Sequence, residues 1–177
     1  MPVSAPEVLT SDHDLASFDC GKPALNAWLK TRALANQRNG FTVVVVVHDE
    51  HRVVGYYGLS PTAVEPALLP RKVRTGQPPN PIPCLLLGQL AMDRAYAGRG
   101  VGTALVGHAL ERAVLAARLT GGRALLVRAI DEHAVAFWKR RGFMSSPADP
   151  YLLFRSLPDI EASLKAAGLA GRAPRQP

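Results

Sequence analysis

Apolar residues fall into two kinds of spacing along this chain, and the two kinds predict strands and helices in turn. Residues 41–47 are mostly β-branched and too few for most helices, which predicts a buried central strand. The polar residues 48–51 separate this run from a second apolar run at 52–59, which predicts a hairpin. Before both, Pro23 is placed to begin a helix. Apolar residues then recur at helical spacing: Leu25, Trp28, Leu29 and Ala33.

The alternation resumes after a proline-rich segment. Residues 60–83 hold seven of the fifteen prolines, so we expect only a short helix there, near residues 66–72. Further strands are predicted over residues 84–92, 124–129 and 151–155, and further helices over 100–119, 132–141 and 158–168. Gly142 is placed to end the helix over 132–141.

The length of 177 residues suits one α/β domain with a sizeable core. We expect that domain over residues 1–167 and a disordered basic tail, with Arg172 and Arg175, over residues 168–177. No apolar run approaches the roughly 20 residues of a membrane helix, and the N-terminus lacks signal-peptide features. Cys20 and Cys84 are far apart and have no metal-ligand spacing, which favours reduced, buried thiols over a disulfide or a nucleophile. The chain is therefore predicted to be cytoplasmic.

The charge balance leaves two interpretations open. Lys and Arg number 21 against 14 Asp and Glu, a net charge of +7. Arginine pairs with phosphate through its planar fork, so a polyanionic partner is one interpretation. A solvated surface in a chain of arginine-rich composition is the other.

A glycine-rich turn between a strand and a helix carries the clearest chemical signal. Gly98, Gly100 and Gly102 follow the predicted strand 84–92 and open the helix at 100–119. Such a turn directs unpaired backbone N–H groups and the positive end of the helix dipole at one place, where a diphosphate fits. A dinucleotide-binding unit does not fit, because the turn follows a hairpin and no acidic residue ends a strand about 20 residues later.

The order and spacing of these motifs resemble the GNAT superfamily of acyl-CoA-dependent N-acetyltransferases. One motif of that family is Gln/Arg-x-x-Gly-x-Gly/Ala between a strand and a helix, here residues 97–102. A second is a helix ending in Gly-Phe, here residues 136–143. This chain departs from the family twice, with Ala97 in place of Gln or Arg and Trp138 in place of Tyr. Further segments, from Phe18-Asp19-Cys20-Gly21 to the stretch ending at Pro150, resemble the TacT-like toxins of toxin–antitoxin systems.

The resemblance implies a fold and a cofactor. The fold is α/β (α+β), with a mixed central sheet splayed at the acyl-CoA-binding strand and helices on both faces. The cofactor is acetyl-CoA, with a backbone N–H near Met92 polarising the thioester carbonyl. The implied cofactor-binding residues are Leu90, Ala91, Met92, Ala97, Gly98, Arg99, Gly100, Val101, Gly102, Thr103, Asp131 and Phe137.

The proton donor to the departing thiolate is left open. The family tyrosine at position 138 is thought to supply that proton, and an indole N–H is not a practical acid at neutral pH. Trp138 therefore only orients the sulfur, or another group or water gives the proton, or activity is low. Tyr56, Tyr57 and Tyr151 are candidate substitutes, and Trp138, Met92 and Tyr151 make up the predicted catalytic set.

The resemblance also implies a substrate and partners. The substrate would be the α-amine of aminoacyl-tRNA, whose acetylation blocks translation, and the partners a ribbon-helix-helix antitoxin and a second copy of the chain. Candidate tRNA-binding residues are Arg71, Lys72, Arg74, Arg140 and Arg141. His108 and His133 are expected at the surface or in packing, and no metal is expected. Two alternatives stay open: acetylation of a small amine or protein N-terminus, and a weakly active acyl-CoA-binding regulator.

Overall fold

The strands follow the predicted order, and two very short ones join them. A computed structural model describes residues 2–168, so most of the expected basic tail, including Arg172 and Arg175, lies outside the described residues. The strands are β1 (Glu7–Val8), β2 (Val43–Asp49), β3 (Arg52–Val64), β4 (Ile82–Met92), β5 (Ala124–Arg128), β6 (Met144–Ser145) and β7 (Leu152–Ser156).

Five α-helices are described, two of them joined by one wider turn. They are α1 (Pro23–Trp28), α2 (Leu34–Arg38), α3 (Val101–Thr120), α4 (Glu132–Lys139) and α5 (Leu157–Ala166), with a π-helical turn at Leu29–Ala33 between α1 and α2. Pro23 begins α1 as predicted. None of the helices within residues 2–168 is both long and apolar enough to cross a bilayer.

The helix predicted at residues 66–72 is wrong beyond its first turn. Only Pro66–Leu68 is helical, as a 3₁₀ turn, and Leu69 is extended with φ −86° and ψ 139°. Leu69 precedes Pro70, and the proline ring disfavours helical backbone at the residue before it. Pro70 therefore ends the helical turn that begins at Pro66.

The strands form one open, mixed sheet in the order β1-β2-β3-β4-β5-β7-β6, which confirms the predicted fold class. The predicted hairpin is present as an antiparallel pair of β2 and β3. β7 pairs antiparallel with both β5 and β6. The splay expected at β4 stays a prediction.

The chain divides into two compact units. The first comprises the chain up to Ser60 together with Leu87–Ala109, and the second comprises Pro61–Leu86 together with the chain from Leu110 onward. In the first, Trp28 packs against the core, with its ring stacked on Tyr56 at 5.9 Å. In the second, the buried side chains come from β3, β4, β5 and β7 and the proline-rich segment: Val64, Leu69, Val73, Ile82, Cys84, Ala124, Leu126, Leu152 and Phe154. The single-domain expectation stays a prediction.

The turn between β2 and β3 has a strained backbone. Asp49 pairs with Arg52, so only Glu50 and His51 form the turn. Both have positive φ, +46° and +71°, although neither is glycine. A two-residue turn of this kind favours Asn-Gly because left-handed backbone costs about 1–2 kcal/mol for an ordinary L-residue.

Replacing this turn by Asn-Gly (Glu50→Asn with His51→Gly) should raise the free energy of unfolding by about 1 kcal/mol, because the strain is relieved. Urea denaturation followed by circular dichroism measures the change. Glu50→Gln is the matched control and should change stability little. A double variant no more stable than the control would show that the turn is not strained.

Candidate active site

The glycine-rich turn is open on the side where a ligand would approach. β4 ends at Met92, and the Asp93 carboxylate caps the 3₁₀ turn Arg94–Tyr96 by accepting the Ala95 N–H at 2.9 Å. Gly98 and Gly100 have φ of +75° and +78°, and a Cβ on either would meet nothing within 4 Å. The Ala104 N–H donates to the Gly100 carbonyl at 3.1 Å, which leaves the amides of residues 101–103 outside the bonding pattern of α3.

The end of β4 is fixed by the side chain of Met92. A Cβ on Gly55 of β3 would overlap the Met92 sulfur, and one on Gly102 of α3 would lie 3.3 Å from Met92 Cγ. The Asp93 N–H donates to the Val54 carbonyl at 2.8 Å. Met92 therefore packs into space left by two glycines, and this packing sets the position of its backbone.

A polar network that the sequence did not reveal holds the start of the turn. Asp93 is buried and accepts the Asp19 N–H at 3.1 Å. Asp19 in turn pairs with Arg94 and accepts hydrogen bonds from the Gly21 N–H at 2.9 Å and the Asn26 amide at 3.0 Å. The Gly21 hydrogen bond is the largest of the causes that hold the pKa of Asp19 below its usual value. Residues 18–21 thus hold the start of the glycine-rich turn by hydrogen bonds, although Asp19 and Asp93 are 74 positions apart.

In the second unit, α4 presents the second motif. Asp131 caps α4 by accepting the Ala134 N–H at 2.8 Å, a structural role beside the cofactor contact predicted for it. Trp138 is 6% exposed, and its ring meets Phe137 and Phe143 edge-on at 5.0 and 5.1 Å. Gly142 follows the helix end with φ +84°, as predicted. A Cβ at this position would lie only 3.0 Å from Nε of Arg155.

The three candidate tyrosines differ in accessibility. Tyr56 is fully buried and donates to the Leu25 carbonyl at 2.7 Å, and burial raises its pKa. Tyr57 is also buried, with its hydroxyl 2.8 Å from Nδ1 of His108. His108 is half-buried and packs against Tyr57, one of the two roles expected for it. Tyr151 is 40% exposed.

The predicted tRNA-binding residues fall into two groups within the second unit. Arg71 and Arg74 line one cavity of about 420 Å³ together with Ser145 and Pro147. Lys72 is exposed and is not part of its lining. Arg140 is exposed at the end of α4, and the Arg141 guanidinium stacks 3.6 Å above the Phe137 ring. Desolvation, more than the neighbouring Arg140, lowers the pKa of Arg141.

Three groups with metal-ligating atoms meet in the first unit, two of them near each other in sequence and the third, His48, about 40 positions away. Nε2 of His13 and Nε2 of His48 lie 2.8 and 3.1 Å from Oε1 of Glu7. Nδ1 of each ring accepts a backbone N–H, from Thr10 and His51 respectively. Each neutral ring therefore carries its proton on Nε2 and donates it to Glu7. The hydrogen bonds of this cluster join β1, β2 and the segment that follows β1.

Both cysteines are unpaired. Cys84 is buried, and burial raises the pKa of its thiol, which makes it a poor nucleophile. Cys20 is half-buried, so the expectation of a buried thiol is correct for Cys84 and only partly so for Cys20.

The strand, glycine turn and helix match an established family. The Acetyltransferase (GNAT) family is matched over residues 8–143. The chain belongs to this family of acetyltransferases. It is 40% identical over 159 residues to a tRNA-acetylating toxin of Mycobacterium tuberculosis, a match that covers 90% of this chain and 95% of that protein.

Solved structures of two toxin complexes are also similar. The toxin AtaT complexed with acetyl-methionyl-tRNAfMet has a TM-score of 0.83 and 34% identity, covering 92% of this chain and 99% of that one. A Tyr-to-Phe mutant of AtaT, bound to the C-terminus of the antitoxin AtaR and to acetyl-CoA, has a TM-score of 0.78 and 32% identity. That match covers 93% of this chain and 99% of the other.

Proposed function

We propose that this acetyltransferase is a toxin that uses acetyl-CoA to acetylate the α-amine of aminoacyl-tRNA and so blocks translation. The observation that carries the proposal is the 40% identity to a tRNA-acetylating toxin, which extends over nine-tenths of the chain. The open glycine turn supports it, because unpaired amides at the start of a long helix suit a diphosphate.

The first unit would hold the cofactor. Backbone amides of residues 99–103 would bind the diphosphate, and glycine at 100 and 102 lets the backbone approach closely. Leu90, Ala91 and Met92 would lie along the pantetheine arm. Bound acetyl-CoA supplies an activated acetyl group, and the Met92 amide is placed to donate to the carbonyl oxygen as negative charge develops there. Because the Met92 side chain packs between Gly55 and Gly102, the Met92 backbone N–H is held in position before the substrate binds.

Acetyl transfer forms an amide bond and breaks a thioester bond, and the substrate amine loses one proton. An α-amine has a pKa of about 7.7–8.0, and the electron-withdrawing ester of aminoacyl-tRNA lowers it further, so no dedicated base is needed. The departing thiolate is a weak base, because an ordinary thiol has a pKa of only about 8.5. Water can therefore supply its proton, so no acidic side chain is required at position 138. Tyr151 is the one exposed hydroxyl among the three candidate tyrosines.

Arginines of the second unit would bind the RNA. Arg71 and Arg74 converge on one cavity, which is a better phosphate site than scattered surface charges. Lys72, Arg140 and Arg141 would add contacts to the phosphate backbone. The net charge of +7 fits a polyanionic substrate.

The remaining features of the proposal concern assembly. We infer a homodimer neutralised by a ribbon-helix-helix antitoxin in the cytoplasm, with residues 1–167 acting as one acetyltransferase domain. The likeness to AtaT bound to the C-terminus of AtaR supports an antitoxin partner, and the two unpaired cysteines fit a reducing compartment.

A direct assay tests the activity. The purified chain is incubated with a set of charged tRNAs and radiolabelled acetyl-CoA, and the label should appear on aminoacyl-tRNA. Mild alkaline hydrolysis should then release it as an α-N-acetyl amino acid. Uncharged tRNA, peptides and small amines are the controls. Label on peptides or small amines alone would reject the proposal in favour of the other acetyltransferase substrates.

A weakly active acyl-CoA-binding regulator is the second candidate, and Trp138 is the observation that favours it. The indole N–H cannot serve as an acid at neutral pH. The wild-type turnover in the same assay separates the two, because a rate of ordinary enzymatic size excludes the regulator.

The arginine cavity gives a prediction for RNA binding. Arg71→Ala with Arg74→Ala should raise KM for aminoacyl-tRNA about tenfold or more and leave KM for acetyl-CoA unchanged. The salt dependence of tRNA binding should weaken as well, by about 0.7–0.9 in log–log slope for each phosphate that is no longer neutralised. Filter binding over a range of salt concentrations measures it. Arg38→Ala, an exposed arginine on α2, is the matched control. An equal effect in the control would show that only net charge matters.

A further inference from the structure

The aromatic ring of Tyr96 lies directly under an arginine of the glycine turn. The Arg99 guanidinium carbon is 4.9 Å from the centre of the ring. Tyr96 is 8% exposed, and its hydroxyl donates to Oδ2 of Asp49 at 2.6 Å. That hydrogen bond is the main cause that raises the pKa of Tyr96 above its usual value, so the hydroxyl keeps its proton and remains the donor. The ring is therefore anchored at one end and covered by Arg99.

The anchor comes from the strained hairpin. Asp49 and Arg52 flank the two-residue turn and face each other across it. The Arg52 guanidinium carbon lies 6.0 Å from the centre of the Tyr96 ring, and Nη2 of Arg52 is 3.6 Å from the Asp93 carboxylate. Nε of Arg52 is buried without a hydrogen-bond partner in the described part of the chain. Backbone strain at such a turn persists only where the surrounding structure requires it, which suggests that the placement of Asp49 and Arg52 matters.

Arg99 itself is exposed and has no ion-pair partner within residues 2–168. It stands between Gly98 and Gly100, next to the amides proposed for the diphosphate. An arginine stacked on an aromatic face keeps its N–H groups directed outward in the guanidinium plane, where they can form paired hydrogen bonds to a phosphate. Stacking also restricts the side chain before the ligand binds, which reduces the entropy lost on binding.

We propose that Tyr96, anchored by Asp49 and accompanied by Arg52, is a positioning residue: its ring holds the side chain of Arg99, already among the expected cofactor-binding residues, in the conformation that binds a phosphate group of acetyl-CoA. Arg99 is the binding residue in this arrangement. The inference rests on the proposed use of acetyl-CoA. The phosphate is either in the diphosphate or at the 3′ position of the ribose, and both offer the same bidentate oxygens.

Calorimetric titration of the full chain with acetyl-CoA tests the inference. Arg99→Ala should raise Kd about tenfold or more, because a charge-assisted hydrogen-bonded pair is removed. Tyr96→Leu should raise Kd about three- to tenfold, through loss of the stacking that holds Arg99. In the double variant the effect of Tyr96→Leu should disappear, because nothing remains for it to position. Arg38→Ala again serves as the control.

The phosphate is identified by repeating the titration with acetyl-dephospho-CoA. If Arg99 binds the 3′-phosphate, Arg99→Ala and the wild type should bind this analogue equally. If Arg99 binds the diphosphate, the difference between them should persist. Either result supports a phosphate contact.

Two results would overturn the inference: wild-type affinity in Arg99→Ala, or a Tyr96→Leu effect that persists in full when Arg99 is already absent. If Tyr96→Leu does not fold, Tyr96→Phe and Asp49→Ala each remove the anchoring hydrogen bond and should weaken binding in the same Arg99-dependent way. A wild-type chain that does not bind acetyl-CoA would instead overturn the proposed function itself. Normal wild-type binding with unaffected variants would refute this inference alone.

Discussion

Replacing Gly100 by valine should raise Kd for acetyl-CoA at least about 100-fold. Gly100 has φ +78°, where a β-branched residue costs about 1–2 kcal/mol or more. A Cβ there would enter the open space in front of the turn, where nothing lies within 4 Å. The backbone would relax away from that conformation, and removing even one charge-assisted amide hydrogen bond costs about 1.5–3 kcal/mol. The strain is relieved only at the expense of these hydrogen bonds, and losing two of them amounts to about two decades in affinity or more.

The matched control is Gly107→Ala, in the same helix. Its φ is not positive, and an added Cβ would meet nothing within 4 Å, so the only expected effect is a gain in stability of about 0.5–1 kcal/mol. Titration of both variants with acetyl-CoA gives the comparison. Equal affinities for Gly100→Val and the wild type would mean that the phosphates do not bind at this turn.

Replacing Trp138 by alanine should lower the free energy of unfolding by about 3–5 kcal/mol, the usual range when a buried aromatic side chain is removed from a packed cluster. The indole is 6% exposed and is wedged edge-on between Phe137 and Phe143. Urea denaturation monitored by far-UV circular dichroism measures the loss. His133→Ala, at an exposed position of the same helix, should change stability by less than about 0.5 kcal/mol.

Trp138→Phe separates packing from chemistry at this position. It keeps an aromatic ring in the cluster but removes the indole N–H and part of the ring volume, so only part of the lost stability should return. If the N–H orients the departing sulfur, kcat should fall severalfold while KM for acetyl-CoA stays the same and the pH profile keeps its shape. An unchanged kcat would assign Trp138 to packing alone.

The elements predicted correctly are those whose own residues decide their structure. The β-branched run of β2 predicts its strand, and the apolar residues of α3 recur at helical spacing and are buried at Val106, Ala109, Ala113 and Val114. Gly98 and Gly100 adopt the positive φ that makes glycine necessary in the turn. Here local sequence and final structure agree because no distant contact has to override the local preference.

The predicted C-terminal end of β3 and the predicted start of β4 are wrong, because each strand continues through a proline. The sequence predicts that β3 stops before Pro61 and that β4 begins after Pro83, yet each strand includes its proline. A proline lacks a donor but keeps its acceptor, and the Pro83 carbonyl accepts the Arg123 N–H at 2.8 Å. β1 and β6 are not predicted at all, because two residues are too few to show a period.

The polar contacts of the site could not have been predicted from spacing. Asp19 and Asp93 are 74 positions apart, Tyr57 and His108 are 51 apart, and Tyr96 and Asp49 are 47 apart. None of these pairs forms a local motif, and each depends on strand register and on how a helix lies against the sheet. The turn that would bind the cofactor was therefore visible in the sequence, whereas the residues that hold the turn in place were not.

The side chain of Met92 fills the space beside Gly55 and Gly102, so the residue sizes at these three positions depend on one another. A larger side chain at position 55 would fit only with a smaller one at position 92. A side chain at position 102 would also contact Met92, because a Cβ there would lie 3.3 Å from Met92 Cγ. An engineer who redesigns the end of β4 would have to treat these positions as a single unit, although they belong to two strands and a helix.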